Sequence, residues 1–413
     1  MTVSTAKPFR SLAVRNFRLF AGGQVVSAAG TWLMIVAQDW LVLGLTNGSP
    51  TALGAVTALQ FAPMMLLTLY GGRLADRYDK RTLLTWANVL SGFLALMLGL
   101  LVLADVVRLW HVGFFALALG VVNSVEVPAR VSFVSEMVGP ELLPNASALS
   151  AAYFSIARVA GPGLAGVLIS AFDTGWVMTA NAVSYLATVV ALRRMRPGEL
   201  HRPRGPVGRA RIVDGLRHVA ERPDLVLPLG LLAVVSLAGF HFHVTLPLLA
   251  SAVFHANVGA FGLLTSAFAA GSLLAALVTT VRTGRPAART VVVSGVAFGL
   301  LEVAAGWAPG FGSAMVLLAL TGFASIYFVQ AVNHRVQLGS DPHYRGRVMA
   351  LYTLIVQGST PLGALGASWL AEQHGTRSAL VLGGLVSLAT ACGAAVFDRR
   401  RPEVPVAVGP AGR

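Results

Sequence analysis

Twelve apolar runs, each close to the length of a bilayer span, constrain this chain more than any other feature. They fall at about 19–45, 51–72, 82–104, 109–128, 145–170 and 174–192. Six more follow a basic stretch, at about 225–250, 258–281, 290–308, 312–333, 347–370 and 376–397. A helix needs about 20 apolar residues to cross the hydrocarbon layer. Within lipid, an isolated segment has to satisfy its backbone polar groups internally. Composition agrees: 55% of the 413 residues are hydrophobic and 12% charged, with a mean hydropathy of +0.72, against roughly 25% charge in soluble domains. Three soluble domains, which length alone would suggest, cannot hide so much apolar surface. The expected fold is an all-α integral membrane protein of twelve helices, with no room for a separate soluble domain.

The few charges are sorted by loop. Lys and Arg outnumber Asp and Glu by 31 to 17, but they cluster between apolar runs with no aromatic interleaving and no module that reads a groove, so nucleic acid is not an expected partner. The N-terminus, the even-numbered loops and the C-terminus hold 28 of the 31 basic residues. The opposite loops hold Arg108 and Arg377, and Arg158 lies inside a run. Both termini are therefore expected on the cytoplasmic side of the plasma membrane. Arg10, Arg15 and Arg18 precede an apolar stretch from Phe20 to Leu45 that is too long for a signal-peptide core, so it reads as a retained first span. A single cysteine, Cys392, allows neither an intramolecular disulfide nor a cysteine metal cluster. No phosphate-binding loop, H-E-x-x-H or G-x-S-x-G motif occurs. Neither an enzyme, nor a cofactor, nor direct ATP drive is expected.

The chain divides into residues 1–192, a cytoplasmic basic linker at 193–224, and 225–413 with a short tail. Between Arg193 and Arg222 the linker carries nine Lys/Arg residues and the turns Arg202-Pro203-Arg204 and Gly205-Pro206. A short amphipathic helix is expected over 212–220 on the membrane surface. The fifth and eleventh runs look related: Ala148, Leu149 and Gly161 recur 202 residues later as Ala350, Leu351 and Gly363, with Gly166 and Gly366 following. A parallel six-helix repeat would place a cavity between the halves.

Loop 2–3 reads GGRLADRYDKRTLL, from Gly71 to Leu84. Gly72 permits close helix approach, and Asp76 puts one carboxylate beside Arg77, Lys80 and Arg81. This resembles the signature loop of the major facilitator superfamily, G-x-x-x-D-R/K-x-G-R-R/K, with Asp79 where the family usually has Gly. The resemblance implies that Asp76 is part of a cytoplasmic gate, bonding to the N-terminal end of the eleventh helix when the transporter faces outward. Loop 8–9 keeps Arg282, Arg285 and Arg289 but no acid, so a second-half gate is expected to be degenerate. In the fifth run, ARVAGPGLAG resembles the Gly-Pro motif of proton-coupled drug antiporters in this superfamily, with Ala157 where that motif has a further Gly. Gly161, Gly163 and Gly166 allow close packing, and Pro162 removes one backbone donor. The segments around Asp39, after the fourth run, and before the eleventh look like the bacterial branch that includes the enterobactin exporter and macrolide efflux pumps. The resemblance runs from about residue 10 to 400.

Polar groups inside the runs are functional candidates because each is costly in lipid unless paired or hydrated. Asp39 lies about 30 Å along its helix from Arg18, in the outer half. It suits either a proton or a cationic cargo, or a plain helix–helix hydrogen bond. Glu126 sits four residues before Arg130, near the cytoplasmic end of the fourth run, where an ion pair competes with proton carriage; the resemblance to that branch implies a gating role here, with Arg130, together with Asp76. Arg158, near mid-membrane, needs an anion from Asp39, Glu126 or an acidic cargo group. Glu302 lies mid-membrane in a run expected to be peripheral. His241 and His243 point about 200° apart on a helix, so at most one faces a cavity. Gln24, Trp32, Asn123, Tyr153, Gln330, Asn333 and Gln357 are further candidates for a lining. The expected function is export of an amphipathic small molecule, drug-like or siderophore, by proton-coupled alternating access, working as a monomer. An uptake symporter or uniporter, or a receptor that transports nothing, are the alternatives.

Overall fold

The structure, a computed structural model, describes residues 9–201, 212–280, 284–341 and 344–399. The described residues hold helices and no strand, and eleven of the helical segments are long and apolar enough to cross a membrane. One of these, Leu109–Phe172, runs for 64 residues, about twice what a bilayer needs. It is interrupted at Gly139, whose φ of 71° only glycine adopts without strain, directly before Pro140. Split there, it supplies two spans and brings the count to twelve. The twelve helices are α1 Arg15–Leu45, α2 Pro50–Arg77, α3 Lys80–Leu103, α4 109–138, α5 140–172, α6 Thr174–Arg194, α7 Pro223–Val253, α8 Val258–Thr280, α9 Ala288–Gly306, α10 Phe311–Gly339, α11 Arg345–His374 and α12 Thr376–Arg399.

Their ends follow local chemistry. The Ser49 hydroxyl accepts from Ala52 N ahead of Pro50 in α2, and the Asp79 carboxylate caps α3 by accepting from Thr82 N at 2.8 Å. Asp173 turns α5 into α6 at φ 70°, and Gly375, 202 residues later, turns α11 into α12 at φ 83°. The same interval separates the starts of α4 and α10 and those of α6 and α12. Helix α7 is discontinuous: it stops at Gly239, restarts at Phe242, and passes Pro247 into a π-helical turn at Leu249–Val253. A short helix at Ile212–Ala220 in the linker packs against α11 and α7. Linker residues 202–211, with both proline turns, lie outside the described residues.

Helices α1–α6 pack chiefly among themselves, as do α7–α12, and the two sets meet mainly along α2 with α11 and α5 with α8. Large apolar side chains such as Leu66, Trp86, Val167, Leu277 and Trp369 are exposed, as expected where the surrounding solvent is lipid.

Candidate functional site

The Gly-Pro segment of α5 lies where the two sets touch. A Cβ on Gly166 would lie 2.8 Å from Gly259 Cα and 3.0 Å from Val258 O. The backbone of Gly262 abuts the Pro162 carbonyl, and Gly163 N donates to Ser266 Oγ at 3.0 Å. Gly161 packs against Trp32 of α1, where a Cβ would lie 2.6 Å from the Trp32 Cβ. Small residues are thus required because backbone faces backbone across the junction. The α2–α11 junction is closed at the same end of the bundle: Gly54 packs on Ser368, and Glu372 accepts from Thr51 N at 3.1 Å and Ser49 Oγ at 3.3 Å.

Beside the α5–α8 junction lies a cavity of about 110 Å³, smaller than the roughly 300–1,000 Å³ of drug-sized sites. From the first set it is lined by Trp32, Asp39 and Arg158. From the second it receives Phe242, His243, Phe261 and Phe268. Asp39 is 4% exposed and Arg158 half-buried. Neither forms an ion pair with the other or with any other described residue. Trp40 stacks on Phe261 across the sets at 6.5 Å, and Phe61 approaches the His243 ring at 5.3 Å. His241, two residues away, points elsewhere, its Nε2 2.6 Å from Ala238 O. Of the seven residues considered for a polar lining, Trp32 reaches this cavity; Gln24 and Tyr153 are buried in helix packing.

Glu126 is not in the cavity. It pairs with Arg130 at 3.0 Å, and the Arg130 guanidinium lies 4.2 Å from the centre of the Phe154 ring. Glu302 is fully buried in α9 against Gly239 and Phe298, and neither carboxyl oxygen has a partner among the described residues.

At the opposite end of the bundle, loop 2–3 holds a tight polar network. Lys80 pairs with Glu136 at the end of α4, both nearly buried. Arg81 caps α6 by donating to Leu192 O at 2.6 Å and Arg193 O at 3.1 Å. Asp76 and Arg77 are exposed, Arg77 resting 5.8 Å from the Tyr78 ring centre. Close helix approach belongs to Gly71, whose Cα faces the Ser124 carbonyl of α4; Gly72, expected in that role, has open space around it. Glu136 carries no motif of its own in the sequence, where it is a single acid between the fourth and fifth apolar runs.

The second set has a comparable network, contrary to the expectation drawn from loop 8–9. The acid comes from the start of α7: Asp224 accepts from Arg222 at 2.9 Å and from Arg285 at 2.8 Å. The hydrogen bonds from Arg222 to Asp224 hold Arg222 more basic than usual. Arg222 also donates to Gly339 O, and Arg335 to Pro286 O. Arg289 is exposed, and Arg282 lies outside the described residues.

A family model described as transmembrane secretion effector matches residues 4–405. The multidrug efflux pump Tap of Mycolicibacterium fortuitum is 25% identical over 405 residues, covering 95% of this chain and 97% of that protein. The staphyloferrin A transporter of Staphylococcus aureus is 26% identical over 258 residues, 60% of this chain and 63% of that one. Among solved structures, a bacterial homologue of the human lysosomal transporter Spinster, in an inward-facing and occupied conformation, superposes with a TM-score of 0.72 at 16% identity. That likeness covers 95% of this chain and 98% of the other. On the family match, the twelve-span fold and the loop 2–3 signature, this chain belongs to the transmembrane secretion effector family of the major facilitator superfamily.

Proposed function

We propose that the chain is a secondary transporter that exports an amphipathic small molecule in exchange for protons. The observation that carries this reading is the cavity where the two helix sets meet, with Asp39 facing it and paired to no described residue. A carboxylate in that position can hold either a proton or the cationic part of a cargo, and such mutual exclusion is what exchange requires. Inward proton movement supplies about 2.3 kcal/mol per charge per 100 mV. Relatives named as a multidrug efflux pump and a staphyloferrin A transporter support carriage of a small molecule, and the first of them supports export.

The loop charges orient the chain with both termini and loop 2–3 in the cytoplasm. The junctions at Gly54 and Gly166 then lie on the outer side, so the arrangement is that of an inward-facing state. Residues 1–192 and 225–413 act as the two rocking bodies around the linker. In the outward-facing state Asp76 meets the N-terminal end of α11, while Lys80, Arg81 and Arg130 keep their own half rigid. Gly161, Pro162 and Gly166 provide the smooth surface on which α5 rolls against α8.

Drug and metal-chelator sensitivity of a strain deleted for its own pumps identifies a cargo. Everted vesicles are then expected to accumulate it when acidified inside and to release it on addition of a protonophore. Accumulation in right-side-out vesicles alone would indicate uptake, and no accumulation in either would sink the transport reading.

A further inference from the structure

We infer that the cavity recognises a zwitterion, its cationic end on Asp39 and its acidic end on Arg158 and His243. This rests on the export reading above and adds the chemical class of the cargo. Asp39 and Arg158 line one cavity of about 110 Å³ without pairing to each other. A cargo bearing only a positive charge would satisfy Asp39 and meet the guanidinium as a like charge. A cargo bearing only a negative charge would satisfy Arg158 and meet the carboxylate. In a low-dielectric enclosure both conflicts are strong, and a solute with one charge of each sign avoids both.

The two ends are not equivalent. Asp39 and Arg158 come from α1 and α5, whereas His243 comes from α7 in the other helix set, where it lines the same space as Arg158. An acidic group held by a planar guanidinium and an imidazole together therefore ties the two sets to one ligand. The flat faces of Trp32, Phe261 and Phe268 suit an aromatic body between the charged ends. The arrangement remains compatible with proton exchange, because a proton on Asp39 removes the contact that holds the cationic end.

4-(Aminomethyl)benzoate serves as the probe, since it carries an ammonium at one end of a single aromatic ring and a carboxylate at the other, and is small enough for a cavity of about 110 Å³. Its ethyl ester keeps the cation, and its N-acetyl derivative keeps the anion. Binding to the purified full chain in nanodiscs, read by intrinsic fluorescence, is expected to be at least about tenfold tighter for 4-(aminomethyl)benzoate than for either derivative. Arg158→Gln should erase the advantage over the ester, Asp39→Asn the advantage over the N-acetyl form, and Arg158→Lys should retain most of it. Thermal melting of each variant checks that it folds. The inference is overturned if either derivative binds as tightly as 4-(aminomethyl)benzoate, if no probe binds, or if both variants weaken all three probes equally. Proton-driven uptake of the ester without a preference for the zwitterion would remove this inference and leave the export reading standing. Absence of proton-driven uptake of any cargo in the vesicle assay would remove the export reading itself.

Discussion

Replacing Gly166 by alanine tests whether the outer junction is a working surface. The added Cβ would lie 2.8 Å from Gly259 Cα, 3.0 Å from Val258 O and 3.4 Å from Gly259 N. Every one of these atoms is backbone, so no side-chain rotation relieves the overlap. Carbon atoms prefer separations of about 3.5–4.0 Å, so α5 and α8 must part by about 1 Å. Overpacking of this kind costs about 1–3 kcal/mol, here charged only to the state in which the junction is closed. At about 1.4 kcal/mol per tenfold, the ratio of outward-open to inward-open molecules should rise by roughly 5- to 150-fold. The assay is electron–electron distance measurement between spin labels at Asn47 and Asn257, on opposite sets near this junction, with Cys392 replaced by Ser. The longer-distance population should grow in Gly166→Ala, whereas Gly72→Ala, which meets open space, should leave it unchanged. An unaltered distance distribution in a folded Gly166→Ala protein would refute the reasoning.

Other outcomes follow from single contacts. Glu136→Gln, which strands a Lys80 side chain only 11% exposed, should cost about 3–5 kcal/mol, read as a lowered melting temperature. Replacing both partners by Met should recover most of that loss. Glu302→Leu removes a carboxyl with no partner among the described residues and should raise stability by about 1–3 kcal/mol with vesicle transport retained. Loss of stability would place an undetected partner beside it. Asp79→Ala should cost about 1 kcal/mol through the lost cap on α3, and Asp79→Gly only a few tenths. Both are measurable by chemical denaturation in detergent.

The sequence was most legible where spacing and composition decide the outcome. Apolar run length defined the spans, and the Gly139-Pro140 pair, a strong turn signal, falls where the fourth and fifth runs had to separate. The loop 2–3 motif led to Lys80 and Arg81, which structure shows bonded within their own half. What stayed hidden depends on partners distant in the chain. Glu136 gains meaning only beside Lys80, 56 residues away. Asp224 supplies loop 8–9 with the acid it lacks from 61 residues upstream. Gly71 and Gly72 are indistinguishable by sequence, and only the position of Ser124 decides which one packs. The cavity likewise could not be read from periodicity, since Asp39, Arg158 and His243 sit on three helices and meet through tertiary packing alone.

The central claim is that Asp39 carries the exchanged proton, and Asp39→Asn in everted vesicles tests it most directly. Asparagine keeps the size of the side chain but cannot cycle between charged and neutral forms. The account expects cargo accumulation driven by a proton gradient to be lost, while downhill equilibration persists at saturating cargo and the melting temperature stays close to that of the unmodified chain. Accumulation at the full rate with an unchanged pH profile would contradict it.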